Sequence, residues 1–399
     1  MADAPTVLPA LPARLDVPEP VIEIVRTLEE AGHAAWCVGG ALRDAVLRVP
    51  HADFDVATSA PPDQVRKLFR RTVPVGERFG TVGVLDRGGV LHEVTTFRHD
   101  VRTDGRHAEV EFGASLEEDL ARRDFTINAL AHHPLTHEWR DPFHGADDLA
   151  RGIVRAVGEP ADRIREDYLR LLRAIRFAAR FDFAIDPSTW TAMRELAPGL
   201  GRLSAERVRD EWFKGLETAR TLDLLVRLWH ASGAAAVWLP ELNPGPIPSS
   251  ADTAPRDAVL LTAVLTNSPA AVLRRLKASN AEISRAEVLA RVPAGPPPGD
   301  ERAVRRWLSG AAAATDDALR AEQLRTGKPA GWLADVERIR ERGDAVRRGD
   351  LAINGGDLLA LGLTGPAVGR VLDRLLDRTL DDPALNRRDT LLALARELA

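Results

Sequence analysis

From Val21 onward the apolar positions Val21, Ile22, Val25 and Leu28 recur at helical spacing, and Gly32 follows as a stop. A short apolar run, Ala34 to Val38, then leads into Gly39-Gly40 and a second helical stretch from Ala41 to about Leu47. The pattern predicts strand, glycine turn, helix. Phe54 to Ala57 reads as another strand, and Ser59 with Pro61-Pro62 predicts a helix through Phe69 by cap and first-turn proline logic. Val82 to Leu85 and Val90 to Phe97 flank Arg87-Gly88-Gly89 as the arms of a hairpin. Residues 99–115 are polar and contain glycine, which predicts a long mobile loop. One more short hairpin is expected at about 126–141, and beyond it the spacing is helical almost throughout. Strands first and helices afterwards predict an α+β head on an all-α remainder.

Composition narrows the class. The chain has 399 residues, 45% hydrophobic and 28% charged, an ordinary globular balance. No window approaches the ~18 uninterrupted apolar residues of a membrane span, and the N-terminus has no basic region followed by an apolar core. The single cysteine, Cys37, excludes an intramolecular disulfide and a cysteine-based zinc cluster. A cytoplasmic protein without a membrane or an obligate protein partner is the expectation. A net charge of −5 argues against a wholly basic nucleic-acid coat but not against a local basic face. Lys67, Lys214, Lys277 and Lys328 are the only lysines among 54 basic residues. Alanine richness makes this arginine bias read as the mark of a high-GC genome. The proline-rich residues 1–20 read as a poorly ordered leader, and 243–255 and 292–300 as linkers.

Chemistry concentrates at three places. Asp53-Phe54-Asp55 on a strand puts two carboxylates on one face, ~6.5–7 Å apart at the α-carbons, able to share divalent metals. Upstream, Gly39-Gly40-Ala41-Leu42-Arg43-Asp44 sets glycines that admit a phosphate close to the backbone, with an arginine fork one turn into the helix. No Gly-Lys-Ser/Thr follows, so this is not a Walker loop. Glu93, on the strand Leu91 to Thr95, is a candidate third carboxylate. The third place is Arg163 to Arg180, with six arginines and two acids, where Asp167, Arg170 and Arg173 are spaced to share a helix face. A carboxylate beside a guanidinium complements the amino donor and ring-nitrogen acceptor that cytosine and adenine share, and opposes guanine and uracil. His132, His133, His137 and His144 read as ordinary surface histidines, and Cys37 as a buried strand residue.

Gly39 to Asp44, Asp53 to Asp55, Arg122-Arg123-Asp124-Phe125-Thr126-Ile127-Asn128-Ala129 and Glu166-Asp167-Tyr168-Leu169-Arg170 stand in the order and approximate spacing of the class II tRNA nucleotidyltransferases. That family comprises the bacterial CCA-adding enzymes and related bacterial poly(A) polymerases. The resemblance is close over about 33–215, looser through Trp238 to Leu242, and returns in Ile353 to Leu375. It implies a polymerase-β-like nucleotidyltransferase head with a mixed β-sheet (21–145), then all-α neck (146–220), body (221–345) and tail (346–399), the last two binding RNA. It further implies Asp53 and Asp55 as Mg2+ ligands, with Glu93 completing the catalytic carboxylates. Gly39, Gly40, Arg43, Arg123, Asp124 and Asn128 would bind nucleotide, Asp167 and Arg170 would read the base, and Arg173 and Arg176 would lie beside it. The implied reaction adds CCA to the tRNA 3′ end from CTP and ATP, with release of pyrophosphate. Alternatives are A-only addition, poly(A) synthesis, or a catalytically silent RNA- or nucleotide-binding protein. Arg98 to Phe112 resembles the family's flexible loop, whose presence disfavours a CC-only enzyme. Tyr168 stands where the family usually has proline or a small residue, and no His-Asp constellation of a phosphohydrolase follows residue 230.

Overall fold

The computed structural model describes residues 11–49, 54–76, 80–103, 108–247, 252, 256–292, 295–311, 314–326 and 331–398. The chain divides into two compact units, Met1–Pro240 and Glu241–Ala399.

The first unit opens with α1 (Glu19–Glu30), which buries Val21, Ile24, Val25 and Leu28, and Gly32 ends it at φ +85°. The next elements are β1 (Ala35–Val38), α2 (Gly40–Val46), β2 (Asp55–Thr58), α3 (Pro62–Leu68), β3 (Thr72–Gly76), β4 (Thr81–Leu85) and β5 (Leu91–Thr96). Expected and observed elements agree here except at two points. Ser59 does not cap α3; its Oγ accepts the Ala34 amide and ties β2 to β1. The edge strand β3 was not foreseen. Residues 98–112, expected to be a loop, pair instead as a ribbon of β6 (Arg98–Thr103) and β7 (Ala108–Phe112), joined by residues outside the described set. A hydrogen-bonded ladder supplies the backbone partners that an open loop would have to find in water.

After α4 (Leu116–Ala121) and a 3₁₀ turn (Thr126–Asn128), β8 (Ala131–His132) and β9 (Trp139–Arg140) complete a mixed sheet. Among the described residues it has seven strands in the order β3-β4-β5-β2-β1-β8-β9. Residues 11–18 touch it: the Pro12 carbonyl accepts from Trp139 Nε1 at 2.9 Å, and Val17 is buried. Helices follow: α5 (Gly145–Arg151), α6 (Pro160–Glu166), α7 (Leu169–Phe181), α8 (Pro187–Leu196), α9 (Ala205–Thr218), α10 (Leu222–Ala231) and α11 (Ala234–Trp238). A parallel pair, β10 (Ile153–Val154) and β11 (Ala184–Ile185), ties the start of this region together. Trp212 of α9 and Trp229 of α10, both buried, meet edge to face with centroids 5.1 Å apart.

The second unit is helical: α12 (Ala258–Leu265), α13 (Pro269–Arg275), α14 (Asn280–Arg291), α15 (Glu301–Ala311), α16 (Thr315–Thr326), α17 (Leu333–Arg342), α18 (Gly355–Ala360), α19 (Pro366–Asp381) and α20 (Arg388–Leu398). One of its cores gathers Trp307, Trp332 and Val336; another gathers Leu358, Val371, Leu375 and Leu391. Asn354 caps α18 reciprocally with Asp357, so the polar run at 354–357 is a helix start. No described helix is long and apolar enough to cross a membrane.

Candidate active site

The turn after β1 favours glycine. Gly39 has φ 81° and ψ −146°, and a Cβ there would stand 3.0 Å from Arg123 Nη1 and 3.6 Å from Asp55 Oδ2. Backbone, guanidinium and carboxylate therefore converge where Val38 pairs with Asp55. Arg43, one turn into α2, is only 4% exposed. Its Nε and Nη2 reach Asp44 Oδ1 at 2.7 and 2.6 Å, and its Nη1 donates to Asn128 Oδ1 at 2.5 Å. Its guanidinium lies 4.7 Å from the Phe177 centroid and 5.0 Å from that of Phe181. Burial pulls the Arg43 pKa below its ordinary value and Asp44 offsets only part of this, so the cation is poorly solvated and favours an added anion.

The carboxylates lie on the exposed face of the sheet. Val56 and Val94 are parallel partners, which sets Asp55 and Glu93 side by side on neighbouring strands, both exposed. Asp53 lies outside the described residues, and among those described no group of three metal-binding side chains occurs. Asp55 and Glu93 are hard oxygen donors of the kind magnesium prefers, so the chemistry of the pair fits a divalent cation.

Opposite the glycine turn, a capping box at Ser115 and Glu118 starts α4. The buried Asp119 then holds Arg122 at 2.9 Å and Arg123 at 3.1 Å. Asp124 accepts from Arg173 Nε at 2.7 Å, Asn128 Nδ2 at 2.8 Å and the Phe125 amide at 2.9 Å. Burial alone would raise the Asp124 pKa; the Arg173 charge and these hydrogen bonds outweigh it and hold the carboxyl below its usual range. Along α7, Arg176 pairs with Glu211 of α9 at 2.6 Å, and Arg180 with Asp44 at 2.9 Å. The guanidiniums of Arg176 and Arg173 lie 4.3 and 5.2 Å from the same Phe177 ring that Arg43 covers.

Together these groups enclose a cleft of about 390 Å³, lined by Gly39, Gly40, Asp55, Asp124, Asn128, Phe177 and the arginines 43, 122, 123, 173, 176 and 180. Most of the expected nucleotide contacts thus come together. Asn128 has a positioning part: its amide bridges Arg43 and Asp124. Arg122, Arg180 and Phe177 were given no role from the sequence, although Arg122 opens a quoted motif and the other two sit in the arginine-rich segment. Of the counter-charges, Asp44 closes the glycine motif, whereas Asp119 and Glu211 belong to no spacing that marks them.

The pair expected on one helix face requires correction. Helix α6 ends at Glu166 and α7 begins at Leu169, with Asp167 between them at φ −152° and ψ 104°. Asp167 Oδ1 accepts from the Leu169 amide at 3.1 Å, and Oδ2 from Arg207 Nη2 at 2.7 Å. Arg170 instead donates to Glu166 at 2.6 Å and to the carbonyls of Arg163 and Arg122 at 2.7 and 3.1 Å. The two side chains have different partners, and the described cleft is lined by Arg173, Arg176 and Arg180 of α7 and not by them. Tyr168, buried against Gly199, occupies the break.

Residues 35–155 match the poly A polymerase head domain family, and residues 182–245 match the family described as the probable RNA and SrmB-binding site of polymerase A. That defines the class. The CCA-adding enzyme of Limosilactobacillus fermentum is 36% identical over 408 residues, covering 95% of this chain and 97% of that protein. That of Lactiplantibacillus plantarum is also 36% identical, covering 98% of each. The crystal structure of the Bacillus stearothermophilus CCA-adding enzyme in complex with CTP superposes with a TM-score of 0.75 at 31% identity, over 95% of this chain and 96% of that one. The Thermotoga maritima CCA-adding enzyme complexed with tRNA shares the fold, with a TM-score of 0.69 at 20% identity over 94% of each chain. The chain belongs to the CCA-adding enzyme family.

Proposed function

We propose that this protein completes the 3′ end of tRNA, adding C, C and A from CTP and ATP without a nucleic-acid template. The observation that carries the reading is the cleft: six guanidiniums surround a space beside Asp55, and Glu93 stands next to Asp55 on the adjoining strand. A nucleoside triphosphate supplies the concentrated negative charge that such a cleft favours. Asp124 and Glu211 hold Arg173 and Arg176 in place, so the cations are oriented before substrate arrives.

In the reaction the 3′-oxygen of the tRNA bonds to the α-phosphorus while the bond to the bridging oxygen of the β-phosphate breaks, and pyrophosphate leaves in line. Gly39 and Gly40 let the phosphates approach the backbone, and Arg43 and Arg123 balance charge as the pyrophosphate separates. Glu93 accepts the proton of the attacking hydroxyl. Asp53 and Asp55 would hold Mg2+, which when bound supplies charge neutralisation and a more acidic hydroxyl. Asp167 and Arg170 read the base; to do so they exchange Arg207 and Glu166 for its pairing edge. The finer division into head, neck, body and tail, with RNA gripped by residues 221–399, and a cytoplasmic setting belong to this reading.

The test uses purified protein with magnesium and one tRNA prepared in three forms: lacking CCA, ending in C and ending in CC. Each receives CTP, ATP or both, with products sized to one nucleotide. Growth of all three to CCA and no further is expected. Extension of the CC form alone by one A, a long A ladder, or no extension would each overturn the reading.

A further inference from the structure

An apolar shelf adjoins the carboxylates on the side of β2 away from the arginine cleft. Asp55 and Glu93 are neighbours, Glu93 lies opposite Gly83, and Gly83 lies opposite Val73. One row across four strands therefore reads Asp55, Glu93, Gly83, Val73, on the face opposite the buried Val82, Val84 and Val94. Strand spacing puts Val73 roughly 10 Å from Glu93. Gly83 is a shallow point in that row. A Cβ there would stand 2.6 Å from Leu91 Cδ1 and 2.7 Å from Val75 Cγ2, so the two side chains close in over the missing one. Val73, Val75 and Leu91 are nonetheless 38, 44 and 36% exposed.

The direction of the chemistry says what reaches this shelf. The guanidiniums sit at the β1 side of Asp55, so pyrophosphate departs there. In-line displacement sets the nucleophile on the opposite side of the α-phosphorus, toward β5, β4 and β3. We propose that Val75, Leu91 and Val73 over Gly83 carry the last one or two nucleotides of the acceptor strand and present its 3′-hydroxyl to Asp55 and Glu93. The inference rests on the functional reading above. Aliphatic side chains offer a base neither donor nor acceptor and contact any base face alike. That indifference suits an acceptor whose terminal base changes with each addition, whereas the incoming base must be chosen.

The experiment compares the wild-type protein with Val75→Ser/Leu91→Ser and Val75→Ile/Leu91→Ile, each checked for folding by thermal melting. For tRNA ending in CC, the serine variant should raise the tRNA KM about tenfold with the ATP KM and kcat unchanged, and the isoleucine variant should restore it. A short photo-crosslinker on Cys in Val75→Cys should label the terminal nucleotides of the tRNA. An unchanged tRNA KM in the folded serine variant, or crosslinks only elsewhere in the tRNA, overturns this inference alone. A wild-type dimer that the serine variant dissociates also overturns it, by assigning the shelf to a second copy. No extension by the wild-type protein overturns the functional reading and this inference with it.

Discussion

Gly39 is the residue at which geometry leaves least room. Alanine would meet both a left-handed φ of 81° and the Arg123 guanidinium at 3.0 Å. Gly39→Ala should cost roughly 1–3 kcal/mol in strain and, by shifting the phosphate cradle relative to Asp55, on the order of a hundredfold in extension rate; urea melts and single-turnover extension separate the two. At Asp124 the effect is electrostatic. Asparagine would remove the nearer of Arg173's counter-charges and leave Glu211 at 3.8 Å, a loss of about 1–3 kcal/mol, below the fully buried figure because Arg173 is partly exposed and keeps that second partner. Because the folded carboxyl titrates below its unfolded range, its contribution is complete above that range and disappears as pH falls through the lowered pKa. Asp124→Asn should therefore be less stable at neutral pH and lose part of the acid-induced decline seen in the wild-type protein. His132 acts in the same direction at higher pH. Expected at the surface with His133, it is instead buried, as His133 is, and with His137 and His133 beside it and both ring nitrogens unpartnered its pKa is pushed down to about 4. The unfolded chain then binds the extra proton between about pH 6.5 and 4, so stability falls as pH drops through that interval. His132→Phe should flatten this slope in urea midpoints measured against pH.

At the scale of elements, the break between α6 and α7 is held by Tyr168 seated against Gly199. A methyl at Gly199 would enter that ring, so Gly199→Ala should displace the break and the Asp167–Arg207 contact. Misincorporation of GTP and UTP relative to CTP and ATP should rise several-fold, measured in competition, with a lower melting temperature. The break could not be read from spacing, because the i, i+3 pattern runs through it unbroken; the contact that seats Tyr168 comes from Gly199, some thirty positions later. Strand β3 was missed for another reason. It is an edge strand with Pro74 at its centre and Val73 and Val75 exposed, so it lacks the alternation that burial imposes. The β1 turn and α2 were legible because glycine pairs and buried alternation are local signals. The same division holds in the site. Arg43 and Asp124 stand in compact motifs, whereas Asp119 and Glu211 act through partners that only tertiary approach supplies.

At the scale of the whole molecule, every residue lining the cleft lies in the first of the two compact units. A chain of residues 1–240 should bind CTP with a dissociation constant within about threefold of the full chain's, which is ~0.65 kcal/mol, yet extend tRNA poorly; calorimetry and extension assays check the two halves. Equal extension by the shortened chain would leave residues 241–399 with no part in the RNA binding proposed for 221–399. The ring of Phe177, with Arg43, Arg173 and Arg176 around it, carries a consequence for codon usage. An ammonium has neither the plane to stack nor the fork to hold two partners at once. Recoding the gene for an AT-rich host, with lysine codons replacing arginine codons wholesale, would leave most surface sites functional and fail at these three. Arginine, abundant along the whole chain, is around this one ring a requirement.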